Sequence, residues 1–272
     1  MVKEVNADRD WIGQLEAIFC YGHKSSPRGM PIYEALAAQS VVSMHNPIIY
    51  NPVRKLGYKF MAAEAAWILD GRDDVASIAP YSKDISKFSD NGETFYGAYG
   101  PRLKHQFDHV MRTIAGDWDT RQAVATIWRQ NPVPSKDIPC TVSLQWLVRD
   151  GEIHCNAGMR SSDLWLGHPY DIFNFSAYTF AIMIELNKLR EAVDLKPLEL
   201  GYLYLTSGSK HLYERNVEGV SEILKAHGEK GMYYAAGRRD VFKAHRYTSK
   251  EDFIEHLWSC AESSGGAQEL EN

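Results

Sequence analysis

"DIPCTVSLQWLVRDGEIHCNAGMRSSDLWLGHPYD", residues 137–171, carries the pattern on which the fold turns. Val142, Leu144, Trp146 and Val148 alternate with Ser143, Gln145 and Leu147, the period of a strand with one buried face. Asp150-Gly151 is a two-residue hairpin signal, and Ile153, Cys155 and Ala157 continue the alternation on the return strand. A hairpin brings its open ends together, so Cys140 at the start of one strand lies beside "MRSSD" at the end of the other. A thiol near the Arg160 guanidinium is favoured as thiolate and so becomes a nucleophile. Arg160 and Ser161 suit a phosphate oxygen, the arginine through two parallel N–H donors. This pairing points to a phosphorylated small molecule attacked by sulfur.

Outward from the hairpin, "GYKFMAAEAAWILDG" (57–71) predicts an alanine-rich helix closed by Gly71. Glu64 is the one carboxylate between Phe60 and Ile68, and on pattern alone a helix-surface position is one of two equal readings. "DWIGQLEAIFCYG" (10–22) places Trp11, Leu15 and Ile18 at helical spacing, and "TRQAVATIW" (120–128) has strand composition. "DIFNFSAYTFAIMIELNKLREA" (171–192) reads as a long buried helix. Residues 198–227 read as a strand, a Ser/Gly loop and a helix, and the tail 263–272 as frayed. The fold class is α+β, one domain over 1–272, a sheet flanked by long helices.

The composition, 44% hydrophobic and 12% aromatic, supports a substantial core. A formal charge of -5 gives no global attraction to nucleic acid or to anionic membrane, so any phosphate must meet a local arginine cluster. No apolar run reaches the roughly 18 residues of a membrane span, and "MVKEVNADRD" lacks a signal peptide's apolar core, so the expectation is a cytoplasmic protein. Four cysteines without a Cys-x-x-Cys argue against a zinc site or a disulfide scaffold; no metal is expected.

In order along the chain stand "AAEAAWILDG", "GAYGPRL", Pro139-Cys140, Gln145, "RSSDLWLGHPYDI" and "GSKHLYERN". Together these blocks resemble the thymidylate synthase superfamily, from about Arg28 to Asn216, and most of all its pyrimidine-nucleotide hydroxymethylases of phages and of antibiotic pathways. The resemblance implies a large mixed sheet, a homodimer through the sheet face, and 5,10-methylenetetrahydrofolate as cosubstrate. It implies that Cys140 adds to C6 of a pyrimidine ring, that Glu64 orders water, and that Tyr99 assists proton removal at C5. Arg28, Arg160 and Ser161 would hold the 5′-phosphate, with Arg121 supplied by the neighbouring subunit. His211 and Tyr213 would bind the sugar, and Asp163 would face the pterin. Arg54, Arg102 and Arg129 are further candidate phosphate ligands whose plainer reading is surface or structural ion pairs, and His154 and His168 read as solvated or structurally bonded. Lys210 reads as a loop lysine facing water or the sugar edge, and Asn174, Ala177 and Lys210 are the candidates for sensing the 2′ carbon.

Three departures refine the expectation. The family's uracil-reading asparagine falls at Asp171. An amide donates and accepts, whereas a carboxylate only accepts. Facing uracil O4 it leaves a contact costing on the order of 1–3 kcal/mol; the 4-amino group and protonated N3 of cytosine supply two donors. Thr141 replaces the histidine that synthases carry after the cysteine, and "SKDISKFSDNG" (82–92) lacks their tryptophan pair. The tail also lacks their hydrophobic closing segment, which favours capture of the one-carbon unit by water. The expected activity is therefore CMP or dCMP 5-hydroxymethylation, with uridylate hydroxymethylation or thymidylate synthesis as the alternative. A cysteine hydrolase pairing Cys140 with His154 or His211, or a non-catalytic nucleotide- or RNA-binding module, are rivals of other classes.

Overall fold

The Asp150-Gly151 turn forms as its sequence requires: φ is 52° at Asp150 and 83° at Gly151, the left-handed pair that matches the twist of the strands it joins. In the computed structural model, which describes residues 6–230 and 240–271, this turn links two strands of a six-stranded sheet. The chain begins with α1 (Ala7–Tyr21), β1 (His23–Ser25), β2 (Ile32–Ser43) and α2 (Tyr58–Leu69). The short helices α3 (Val75–Ile78) and α4 (Tyr99–Lys104) and then α5 (Phe107–Gly116) lead to β3 (Val124–Thr126). The hairpin is β4 (Thr141–Arg149) and β5 (Glu152–Asp163), followed by α6 (His168–Glu191) and β6 (Glu199–Tyr213). Helices α7 (Val217–Lys230) and α8 (Lys250–Glu262) complete the regular elements.

The sheet order is β1-β2-β6-β5-β4-β3, antiparallel except for the β5–β6 pair. That parallel pair needs a crossover, and α6 supplies it. The helix is apolar around most of its circumference, and between His168 and Leu186 all but Tyr170, Asp171 and Glu185 are buried, as the centre of a core requires. Leu144, Trp146, Ile153, Cys155 and Ala157 reach it from one sheet face, where the Trp146 indole donates to Thr179 Oγ1 at 3.0 Å. On the other face Gln145, Leu147, His154, Tyr202 and Tyr204 are only half-covered.

Four expectations are corrected. Val142 does not continue the buried row: the β4 register shifts between Thr141 and Ser143, so Thr141 turns inward and Val142 outward. The strand expected over 120–128 is only Val124–Thr126. The Ser/Gly segment after Leu205 is not a loop, because β2 and β5 hydrogen-bond to its two edges and hold β6 extended to Tyr213. The tail through residue 271 is packed, with Ala267 and Leu270 buried and Tyr50 donating to the Glu271 carboxylate.

Candidate active site

Beneath the open end of the hairpin lies a cavity of about 290 Å³. Glu64 enters from α2, Tyr99 from the start of α4, Asp171 and Asn174 from α6, and Asp137 and Cys140 from the segment leading into β4. Trp67, Ile68, Ile85, Phe88 and Phe95 give the same cavity an apolar lining. The spacing Asp171-x-x-Asn174 puts both side chains on one helical face, and α2 brings Glu64 to them: Asn174 Nδ2 donates to Glu64 Oε2 at 2.7 Å. Glu64 is thus no surface residue. The buried carboxyl at an apolar helix position is pushed up to about 7 by desolvation, only partly opposed by the Asn174 bond.

The hairpin delivers Cys140 and Arg160 to one end as expected. Arg160 N–H donates to the Cys140 carbonyl at 2.8 Å. The guanidinium donates to the carbonyls of Pro139 (2.9 Å) and Ile138 (2.8 Å) and to Ser161 Oγ (3.0 Å), fixing the turn that carries the thiol. Ser161 Oγ in turn donates to Cys140 Sγ at 3.5 Å. The expected thiolate is corrected for the ligand-free site. Burial raises the thiol above its ordinary range, and the opposing pull of Arg160 and Ser161 does not cancel it.

Asp171 also departs from its simplest reading. Desolvation, then the nearby Glu64 and Asp163, push its carboxyl well above the usual range, so it holds a proton more readily than an ordinary carboxyl does. The acceptor-only premise drawn from the sequence belongs to the ionised form; a protonated carboxyl donates as well as accepts. Tyr99 is likewise raised, by burial first and then by Asp171 and Cys140. Its hydroxyl accepts from Thr141 Oγ1 at 3.0 Å and from Thr141 N–H at 3.3 Å.

The other expected binding residues, Arg28, Arg121, Asp163, His211 and Tyr213, do not line this cavity. Parallel pairing of β5 and β6 sets Asp163 beside His211, two residues before Tyr213. Asp163 Oδ1 accepts from the N–H groups of Trp165 (2.9 Å) and Leu166 (3.1 Å), closing the turn into α6. Arg28 is exposed in the turn Pro27–Gly29 with φ 55°. Arg121 is exposed before β3, and neither arginine lines the chain's own cavity. Lys210 is corrected: continuous β6 turns it into the core, where it is 0% exposed and donates to Ser40 Oγ at 2.7 Å. Ala177 is equally buried, so neither reaches a sugar. His168 is held between Ser40 and Ser162. His154 lies near the far end of the hairpin, its Nδ1 accepting from Tyr202 N–H at 3.0 Å. Arg54 donates to the Trp165 carbonyl and Arg102 to those of Ile127 and Tyr96, backbone partners rather than the ion pairs expected. Asp137, which accepts from Gly97 N–H at 2.7 Å, is a cavity residue that the sequence did not point to, and Asn174, a candidate there for the 2′ carbon, bonds Glu64. Among the described residues no group of three or more His, Cys, Asp or Glu could hold a metal, and no helix is long and apolar enough to cross a membrane.

The family model of thymidylate synthase matches residues 10–249. Among curated proteins the chain is similar to the deoxyuridylate hydroxymethyltransferase of Bacillus phage SP01, with 30% identity over 241 residues, 79% of this chain and 59% of the relative. The chain thus spans about three fifths of that relative's length.

Proposed function

This chain belongs to the thymidylate synthase family, and we propose that it is a folate-dependent hydroxymethyltransferase acting on CMP or dCMP. The carbon comes from 5,10-methylenetetrahydrofolate and water completes the 5-hydroxymethyl group. The observation that carries this reading is one cavity lined by a thiol, Cys140, and by a carboxyl, Asp171, where the family reads uracil with an amide.

Cys140 adds to C6, which makes C5 nucleophilic, and Tyr99 serves the proton removed there. Arg160, Ser161 and Arg28 hold the phosphate, and a phosphate drawn to the hairpin end meets the donors that already brace the thiol. His211 and Tyr213 bind the sugar. The apolar wall of Trp67, Ile85 and Phe88 fits a flat aromatic cosubstrate stacked beyond the pyrimidine, and Asp163 faces its pterin end. Arg121 completes the cavity of a second copy; its exposure away from its own cavity supports that role, as does the half-covered outer sheet face for a homodimer.

The base preference follows from where a proton ends. A neutral Asp171 donates to cytosine N3 and accepts from the 4-amino group. If the proton passes to N3, the pair becomes a bidentate ion pair, and the protonated ring is more open to attack at C6. Uracil pairs with the neutral acid through O4 and N3–H, but it gains no charge-assisted pair. A uridylate substrate is the second reading, favoured by the named activity of the phage relative and by the raised carboxyl of Asp171, whose protonated form can donate to O4. The test is incubation with methylenetetrahydrofolate and each of CMP, dCMP, UMP and dUMP, followed by mass spectrometry. Hydroxymethylated cytidylate is expected; turnover of uridylates alone overturns the base assignment, and a methyl gain overturns the outcome.

A further inference from the structure

Asn174 occupies the cavity with only half of its amide committed. Nδ2 donates to Glu64 Oε2 at 2.7 Å. Oδ1 is buried and has no hydrogen-bond partner among the described residues, although the residue is 5% exposed and lines the cavity beside Asp171 and Cys140. A buried carbonyl oxygen without a donor is costly unless something polar comes to it. None of the polar groups that line the cavity donates to it, so a bound molecule or a water held against Glu64 is the donor left to it.

Resting on the hydroxymethyltransferase reading, we infer that Asn174 positions the hydrating water: Nδ2 fixes the Glu64 carboxylate, and Oδ1 accepts one hydrogen of the water that Glu64 activates. Once the one-carbon unit is joined to C5 and tetrahydrofolate has left, the pyrimidine carries a C5=CH2 group and a C6–S bond to Cys140. The water oxygen bonds to the CH2 carbon, the π pair moves toward C4 and N3, and the water's proton passes to Glu64. The pair then returns to form C5=C6 as the C6–S bond breaks, releasing the thiolate. No oxidant or reductant enters. The carboxyl of Glu64, pushed up to about 7, suits a group that takes up and returns a proton near neutrality. Asp171 lies one turn earlier on the same helix at the base's amino edge, so the helix that reads the base also sets the water.

The experiment compares two readouts on the full chain with methylenetetrahydrofolate and C5-tritiated CMP, dCMP, UMP and dUMP. Tritium release reports installation of the one-carbon unit, and hydroxymethyl product reports hydration. In the wild type the two are equal. In Asn174→Leu the ratio of product to released tritium falls about tenfold or more, as expected for loss of one buried hydrogen bond to the water, and added 2-mercaptoethanol captures the waiting methylene as a thioether. Asn174→Ser, which keeps an oxygen, recovers part of the ratio. An equal fall in both readouts overturns the inference alone, because a merely structural role lowers them together. If Asn174→Leu does not fold, the ratio is read on Asn174→Ala, and an unchanged ratio there overturns the inference. A wild type that releases no tritium from any of the four nucleotides overturns both this inference and the reading beneath it.

Discussion

Arg160 and Cys140 are locked together across the open end of the β4–β5 hairpin, the arginine's N–H donating to the cysteine's carbonyl at 2.8 Å. Its guanidinium braces the two preceding carbonyls, those of Pro139 and Ile138. The Cys140 thiol is therefore pushed up by burial and drawn back down by the neighbouring cation.

Alkylation of Cys140 by iodoacetamide reads this balance. In the ligand-free protein the apparent midpoint is expected above the ordinary thiol value of 9.0. Arg160→Met removes the lowering influence, so the midpoint rises further and alkylation at pH 8 slows by about three- to tenfold. Faster alkylation in the variant contradicts the assignment.

Glu64 links the site to stability. Its folded value of about 7 lies above the reference value of 4.5, so the folded protein holds a proton that the unfolded chain gives up. That contribution is fully present below about pH 4.5 and is lost as pH rises through about 7. Glu64→Gln carries no proton to lose. Relative to the wild type it is expected to gain stability with rising pH, up to about 3 kcal/mol by pH 8, measured by urea unfolding at pH 4, 6 and 8. A difference that is flat with pH rules out the buried, protonated state. The same variant is expected to lose hydroxymethyl product.

Tyr99 accepts two hydrogen bonds from Thr141. Tyr99→Phe leaves that residue's hydroxyl and N–H without their acceptor, costing about 1–3 kcal/mol. Folate-dependent tritium release from C5 is expected to fall about 100-fold or more, the scale of a lost general base. A variant with near-normal release assigns the proton to another group.

The packed tail gives a structural prediction. Gly266 has φ 59°, and a Cβ there would lie 2.3 Å from the Tyr58 carbonyl carbon at the start of α2. Gly266→Ala is expected to destabilise by more than about 1 kcal/mol, from overpacking and left-handed strain together, read as a fall in Tm. An unchanged Tm means that the tail does not close on α2.

What the sequence made legible is what local pattern encodes. The β4–β5 hairpin could be read because its turn residues and alternation are contiguous, and it fixed where Cys140 meets Arg160. The length of β6 was hidden because "TSGSK" has loop composition, and the partners that hold it extended, β2 and β5, are distant in the chain. For the same reason Lys210 looked solvated, when continuous pairing turns it into the core beside Ser40. The bulge at Thr141 left no mark in the apolar pattern. Asn174 and Glu64 are 110 residues apart, so no spacing announced their bond. The shift at Asp171 was hidden too, because its causes, burial first and then the nearby Glu64 and Asp163, arise only in the fold.

The central claim, that Cys140 bonds to the ring of a cytidylate chosen by Asp171, is tested most directly with 5-fluorinated nucleotides. Fluorine at C5 cannot leave as a proton does, so the covalent species stalls after the one-carbon unit is joined. With methylenetetrahydrofolate, intact-protein and peptide mass spectrometry should find 5-fluorocytidylate plus folate attached to Cys140, in preference to 5-fluorouridylate. Asp171→Asn should reverse that preference. Attachment to another cysteine, no attachment at all, or the same preference in both proteins contradicts the account.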